Sequence, residues 1–333
     1  MNRCWFTSFF LGPFVSDDFE KHIVTTFERL DLEKFRVNNS SRHLFVCGGL
    51  VDVSSPIPPS FRDRFIGYTA ENHETIHDSV ILAEAFLDYF KENAYRDLFV
   101  FEEEIAKISS LVIIFLESPG SLVELGIFCA IPDITKKLLI VAPQEHVQGE
   151  DSFIYLGPLS YLKRLDDSSL TVYPWPDNAL LEYDDDHLIG LCDDVQQKIL
   201  KVPKTSKFNQ ENSGHVALLV AEIIRVCYPI QITEISNSLD ALGFASSIKN
   251  IHRSIYLLKI LKFVESIPYG GNTYYYPYDK RECTVSFSES KVFEASSFRI
   301  NLNQSYKHQE DSQSRKRRTA LKMIQKLDKG EVS

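Results

Sequence analysis

The sequence predicts an α/β protein: a doubly wound parallel sheet followed by a smaller winged helix-turn-helix unit. Three observations predict it. Short apolar runs end in glycine or proline loops, helical periodicity fills the intervals, and beyond a polar stretch three helical patterns close with a glycine-turned hairpin. Residues 43–47 (HLFVC) run straight into Gly48-Gly49, as a buried parallel strand entering a tight loop does. From 78 to 92 apolar residues recur at helical spacing (Ile81, Leu82, Ala85, Phe86, Tyr89), and 98–101 is a second strand candidate. Residues 102–109 read as a short helix. Residues 111–116 (LVIIFL), apolar throughout and rich in β-branched side chains, read as a central strand. A helix over 121–131, a strand over 137–142 (KLLIVA) and a closing helix over 186–200 complete the sheet domain.

At 201–213 the composition turns polar (KVPKTSKFNQENS), which predicts an interdomain linker. Helices are expected over 215–226, 232–242 and 246–261, then a hairpin around Gly270-Gly271 with Tyr269 and Tyr274, Tyr275 and Tyr276 as its wing. The expected division is an N-terminal arm (1–41), the sheet domain (42–200), the linker, the winged helix (214–281) and a polar, basic tail (282–333), helical only when bound. The tail carries Arg315-Lys316-Arg317-Arg318.

Composition bounds the function. Hydrophobic residues at 44% and charged residues at 25% are those of a folded globular chain, and 333 residues accommodate two cores. A net charge of −10 excludes a protein that coats nucleic acid over its whole surface and leaves only local basic patches. Cys4, Cys47, Cys129, Cys192, Cys227 and Cys283 are scattered without a C-x-x-C pair. Neither structural zinc nor a disulfide framework is expected, and reduced thiols point to the cytoplasm. Residues 4–15 are apolar but short and interrupted by Pro13, so a packing arm is expected. No run reaches the length of a membrane span.

The chemistry gathers where the central strand meets Glu117-Ser118-Pro119-Gly120-Ser121 and a helix carrying Glu124-Leu125-Gly126 in its first turn. This loop and Gly48-Gly49 should lie at the carboxyl edge of the sheet, where open α/β folds bind ligands. Gly48 and Gly49 would offer backbone N–H groups to a phosphate, with Ser118, Gly120 and Ser121 adding contacts; both glycines also suit a purely steric role. Ser121-x-x-Glu124 is spelled as a capping box. A carboxylate in a first helical turn is equally one the helix dipole keeps ionised, as a nucleophile at an anomeric carbon must be. Arg62, in Arg62-Asp63-Arg64 after a proline-rich stretch, is placed to reach a phosphate or to join a surface ion-pair cluster. His73 and His77 sit four apart with no third ligand, so no metal is expected. Cys47, Trp5 and Trp175 read as packing residues. Lys249, Asn250, His252 and Arg253 on the third helix, and Arg315, Lys316, Arg317 and Arg318 in the tail, are the candidate nucleic-acid contacts.

The motif I-x-F-L-E-S-P-G-S-x-x-E-L-G (113–126), with Phe45-Val46-Cys47-Gly48-Gly49 before it and Ser152-Phe153-Ile154-Tyr155 through Gly157-Pro158 after it, resembles the nucleoside deoxyribosyltransferase-like domain of retron effector proteins, the toxic arm of bacterial anti-phage retrons. The resemblance covers most of 42–165. It implies a Rossmann-type sheet in which Glu124 attacks the anomeric carbon. A second acid falls by spacing on Glu102, with Glu103 and Glu104 as neighbours that read equally as a solvated face. Glu117, a loop carboxylate near a proline, would orient ribose hydroxyls or simply stand exposed. The chain departs from metabolic transferases in its Ser-Pro-Gly-Ser turn and its second domain. The implied activity is therefore an N-glycosidase that cleaves NAD or a related nucleotide without a cofactor. It would be held inactive by a reverse transcriptase and its msDNA or ncRNA, within a complex that admits oligomers. Two other readings stay open: a metabolic deoxyribosyltransferase that exchanges bases, and a nucleotide-sensing DNA-binding regulator without turnover.

Overall fold

The computed structural model describes residues 18–39, 43–84, 95, 97–148, 152–177, 179–244, 247–287 and 293–330. In chain order the elements begin with α1 (Asp18–Phe27), β1 (Arg36–Asn38), β2 (Leu44–Cys47), α2 (Phe61–Asn72), α3 (Glu74–His77), β3 (Val80–Ile81), α4 (Leu98–Ile108) and β4 (Leu111–Phe115). Then come α5 (Pro119–Cys129), α6 (Pro132–Thr135), β5 (Leu138–Pro143), α7 (Gln144–Gln148), α8 (Ser160–Leu165), β6 (Leu170–Tyr173) and α9 (Asp185–Lys201). The C-terminal part holds β7 (Thr205–Lys207), α10 (Ser213–Cys227), α11 (Ile232–Ala241), α12 (Ile248–Ile260), β8 (Val264–Tyr269), β9 (Asn272–Pro277), β10 (Val285–Ser286), α13 (Ala295–Lys307) and α14 (Ser312–Asp328).

The central sheet has five strands in the order β3-β2-β4-β5-β6, and all its pairings are parallel. Its strands are apolar at every position because both faces are covered. Phe45, Cys47, Val112, Ile114, Leu138 and Ile140 face a core shared with α4, α5 and α10. The alternate residues Leu44, Val46, Leu111, Ile113, Leu139 and Val141 face a second core with α2 and α9. The chain order reverses between β2 and β4, so their carboxyl ends flank the crevice in which such sheets bind ligands.

Four expectations are corrected. Residues 98–101 begin α4 instead of forming a strand, because the Asp97 side chain caps the helix by accepting from Phe99 N at 2.8 Å, and Phe101, Ile105 and Ile108 line one buried face. The helix expected over 78–92 is replaced at its start by β3, whose β-branched pair docks beside Leu44 and Phe45; residues 85–92 lie outside the described ones, as do Trp5 and the 4–15 arm. The 201–213 stretch is no free tether: β7 pairs antiparallel with β1, and β1 pairs with β10. The tail is folded without a partner as α13 and α14, with Phe298, Leu302, Tyr306, Ala320 and Ile324 buried.

Helices α10, α11 and α12 precede the β8-β9 hairpin, whose Gly270 and Gly271 both have positive φ (59° and 82°), the requirement of a two-residue hairpin turn. Tyr274 and Tyr275 are buried, so they serve the core and not an exposed wing. Helix α10 rests on α4, and a Cβ at Gly214 would lie 2.8 Å from the Lys107 carbonyl carbon. Gly214→Ala should therefore cost about 1–3 kcal/mol through overpacking, read as a lowered denaturant midpoint. An unchanged midpoint would show that the α4–α10 contact yields freely. Among the described residues no helix is long and apolar enough to cross a membrane.

Candidate active site

The loops after β2 and β4 interlock at the crevice. A Cβ at Gly48 would lie 2.9 Å from Phe115 Cβ and one at Gly49 2.7 Å from Ser60 Cβ, so both positions need glycine for close approach. Glu117 reaches across: its carboxylate accepts from Gly49 N (2.9 Å), Phe61 N (2.8 Å) and Arg62 N (3.1 Å). It thereby satisfies the free N–H groups at the N-terminal end of α2, the groups an anion would otherwise use. This corrects two expectations at once. The Gly49 N–H is already engaged, and both Glu117 oxygens are taken up by backbone donors.

The cap of α5 is also displaced from its expected position. Ser118 is the N-cap, accepting from Ser121 N at 3.0 Å, while Ser121 Oγ accepts from Ser118 N at 3.1 Å, and Pro119 occupies the first turn. Ser118 Oγ also donates to Gly48 O at 3.2 Å, which ties the two loops together. Gly120 is exposed. Glu124 is therefore no capping residue and sits one turn deeper in α5, facing the crevice.

There a cavity of about 130 Å³ is lined by Cys47, Gly48, Arg62, Glu84, Leu98, Glu102 and Glu124, together with Phe45, Val46 and Ala83. Burial pushes the Glu124 carboxyl up to about 7, against the opposing pull of Arg62. Glu102 is likewise pushed up to about 7, by burial and then by the charges of Glu124 and Glu84. The helix dipole thus does not hold Glu124 ionised; desolvation dominates. One oxygen of Glu124, Oε2, is buried without a hydrogen-bond partner. Arg62 is buried, donates to Val46 O at 3.2 Å and pairs with Glu84, so it belongs to the cavity and to no surface cluster. Arg64 is buried too, donating to Leu181 O at 2.7 Å. Cys47 is buried beside both acids, which raises its thiol well above the ordinary range and excludes an activated nucleophile. Trp175 stands edge-on to Phe61 at 5.0 Å, as a packing residue.

Glu84 is the cavity residue that sequence reasoning missed. Its signal was its place just after β3 at the same sheet edge, hidden by the helix expected over 78–92. Glu103 pairs with Lys107 at 2.6 Å, and Glu104 accepts from Tyr95 Oη at 2.5 Å and pairs with Arg253 at 2.6 Å.

The basic candidates separate in the same way. Lys249, Asn250 and His252 are exposed near the start of α12, whereas Arg253 turns inward to Glu104 and lies over the Tyr95 ring. Arg315 is exposed, and Lys316 packs its methylenes over Gly270. Arg317 is buried against Glu234, Pro229 O and the Phe19 ring. Arg318 donates to Tyr306 O at 2.7 Å and Gln309 O at 2.5 Å. Arg253, Arg317 and Arg318 are thus occupied within the fold, because each meets a carboxylate or free helix-end carbonyls there.

The family model described as the STM3845 retron effector protein matches residues 58–266. Two relatives from Escherichia coli are named as ribosyltransferase/DNA-binding proteins of retrons. That of retron Ec86 is 26% identical over 182 residues, 53% of this chain, and the match spans just over half of that relative's length, 56%. That of retron Ec73 is 25% identical over 279 residues, 77% of this chain and 85% of the relative.

Proposed function

Since this chain belongs to the STM3845 retron effector family, we propose that it is the toxic arm of a retron, an N-glycosidase that cleaves NAD or a related nucleotide with Glu124 as nucleophile. The observation that carries this reading is a pair of carboxyls, Glu124 and Glu102, desolvated in one cavity at the sheet's switch point, with a Glu124 oxygen left unpartnered. The ribosyltransferase names of the two Escherichia coli relatives agree with it.

With a pyridinium leaving group the steps are simple. A Glu124 oxygen bonds to C1′ of the ribose as the C1′–N bond breaks, and its electron pair neutralises the departing nicotinamide nitrogen. No proton donor is needed. Water then attacks C1′, Glu102 takes the water's proton, and the Glu124 carboxylate is released. Both carboxyls titrate near 7, so a fraction of the protein at neutral pH holds both in the ionised form these steps use. Arg62 and Glu84 frame the cavity and set its field.

Helices α10–α12 and the β8-β9 hairpin follow winged-helix order, and we assign them to the retron's nucleic acid and reverse transcriptase, which hold the effector inactive in the cytoplasm. The exposed face of Lys249, Asn250 and His252 supports this. Lys249→Glu should weaken binding of the retron's msDNA and lower the salt slope of that binding by about 1–2; an unchanged slope would move the interface elsewhere.

The reading is tested by expressing the chain with and without its reverse transcriptase and msDNA, following growth together with NAD and nucleotide pools. Toxicity with loss of one metabolite, relieved by the partners, is expected. Transfer of a sugar to an added free base, with no hydrolysis, would instead make it a base-exchanging transferase.

A further inference from the structure

A second cleft lies at the opposite, N-terminal edge of the central sheet, with a volume of about 380 Å³. Its walls come from the end of α4 and the start of β4 (Lys107, Ser109), from Lys136 and Lys137 before β5, from the end of α9 (Lys198, Lys201), from Lys207 on β7, and from His215 on α10. We propose that this cleft binds the phosphate groups of a nucleotide ligand, a site separate from the carboxylate cavity and independent of the glycosidase reading.

Charge is the first support. Six lysines line the cleft against two aspartates, Asp133 and Asp166, in a chain whose net charge is −10. Several of these lysines are balanced: Lys198 by Asp166 at 2.8 Å, Lys201 by the same carboxylate at 3.4 Å, Lys107 by Glu103, and Lys207 by Glu33. Lys136 and Lys137 differ. Among the described residues neither forms an ion pair, and Asn212 holds the nearby Asp133 at 2.9 Å.

Lys137 is the second support. Its ammonium donates to Lys107 O at 2.7 Å and Ser109 O at 2.6 Å, so carbonyls fix it in place, while the charge of Asp133 acts on it from beyond ion-pair distance. Burial pulls its pKa down to about 7. A bound anion would add to the pull of Asp133 and raise the protonated fraction of Lys137.

Size and chemistry set the ligand class. The volume lies within the range of small-molecule sites, and several lysines acting as point charges suit phosphate better than a single carboxylate. Among the described residues no Phe, Tyr or Trp lines the cleft and the His215 imidazole is its one aromatic ring, so the lining reads phosphate more than base. A free nucleotide and the backbone of a strand both present this chemistry.

The test is calorimetric titration of the full chain with sodium tripolyphosphate at low salt. Wild type should bind, with affinity falling as salt rises, and Lys136→Glu should weaken binding by about tenfold while Lys21→Glu, at an exposed position of α1 outside the cleft, leaves it unchanged. In the unsubstituted protein, tripolyphosphate should also protect Lys136 and Lys137 from acetylation, compared with sodium chloride at equal ionic strength. Competition then names the source: displacement by ATP indicates a free nucleotide, and displacement by an oligothymidylate a strand. The proposal is overturned if wild type does not bind tripolyphosphate, if neither competitor displaces it, or if Lys136 and Lys137 react equally with and without it.

Discussion

Glu124→Gln is expected to lower NAD cleavage by at least about 10³-fold while making the protein more resistant to heat above neutral pH. The loss follows from removing the nucleophile, whose replacement leaves only binding and the electrostatics of the cavity. The gain follows from linkage. Burial raises the Glu124 carboxyl from 4.5 to about 7, so the folded protein holds this proton more tightly than the unfolded chain. That contribution is fully present below about 4.5 and is lost as pH rises through about 7. At pH 8 the wild type carries an anion in a poorly solvated cavity, and the amide does not. A gain of about 1–2 kcal/mol at pH 8 and little at pH 5 is expected, read as the difference in melting temperature between the two proteins. A glutamine variant that keeps full activity, or melts lower at pH 8, would remove Glu124 from the role of a buried, chemically active acid.

Glu102→Gln should separate the two chemical steps. The first needs only the Glu124 carboxylate, whereas the second needs a base for water, so with NAD the variant should accumulate an ADP-ribosylated enzyme visible as a mass increment. Its steady-state hydrolysis should fall by about 10²–10⁴-fold. In the wild type, kcat/KM for NAD should rise with pH through about 7, as Glu124 loses its proton. A Glu102→Gln enzyme that turns over normally without an adduct would transfer the base role to Glu84, the other carboxylate in the cavity.

What could be read from sequence depended on how local the determining physics was. The 111–116 strand announced itself because burial on both faces leaves no polar position, and the hairpin did so because Gly270-Gly271 satisfies a turn few other pairs can make. Glu102 and Glu124 came from a motif resemblance, and the fold brings them to one cavity. The cap of α5 was misjudged because Ser-Pro-Gly-Ser-x-x-Glu offers two capping phases. Pro119, favoured in a first helical turn, was the cue for the earlier one. Arg253 and Arg317 look like surface charge until Glu104 and Glu234 arrive from distant parts of the chain. Strands β1, β7 and β10 are two or three residues long, too short to leave any periodicity.

That last small sheet also governs when the molecule can be completed. Arg36 pairs with Lys207 on one side and with Ser286 on the other. One edge of β1 can thus be matched once β7 has been made, but the other stays open until Ser286, 250 residues after Arg36, has been added. At ordinary translation rates of about 5–20 residues per second this is a delay of roughly 10–50 s. Over that interval the nascent chain is an unfinished object at this edge, and one cut short before Ser286 keeps β1 with an open strand edge.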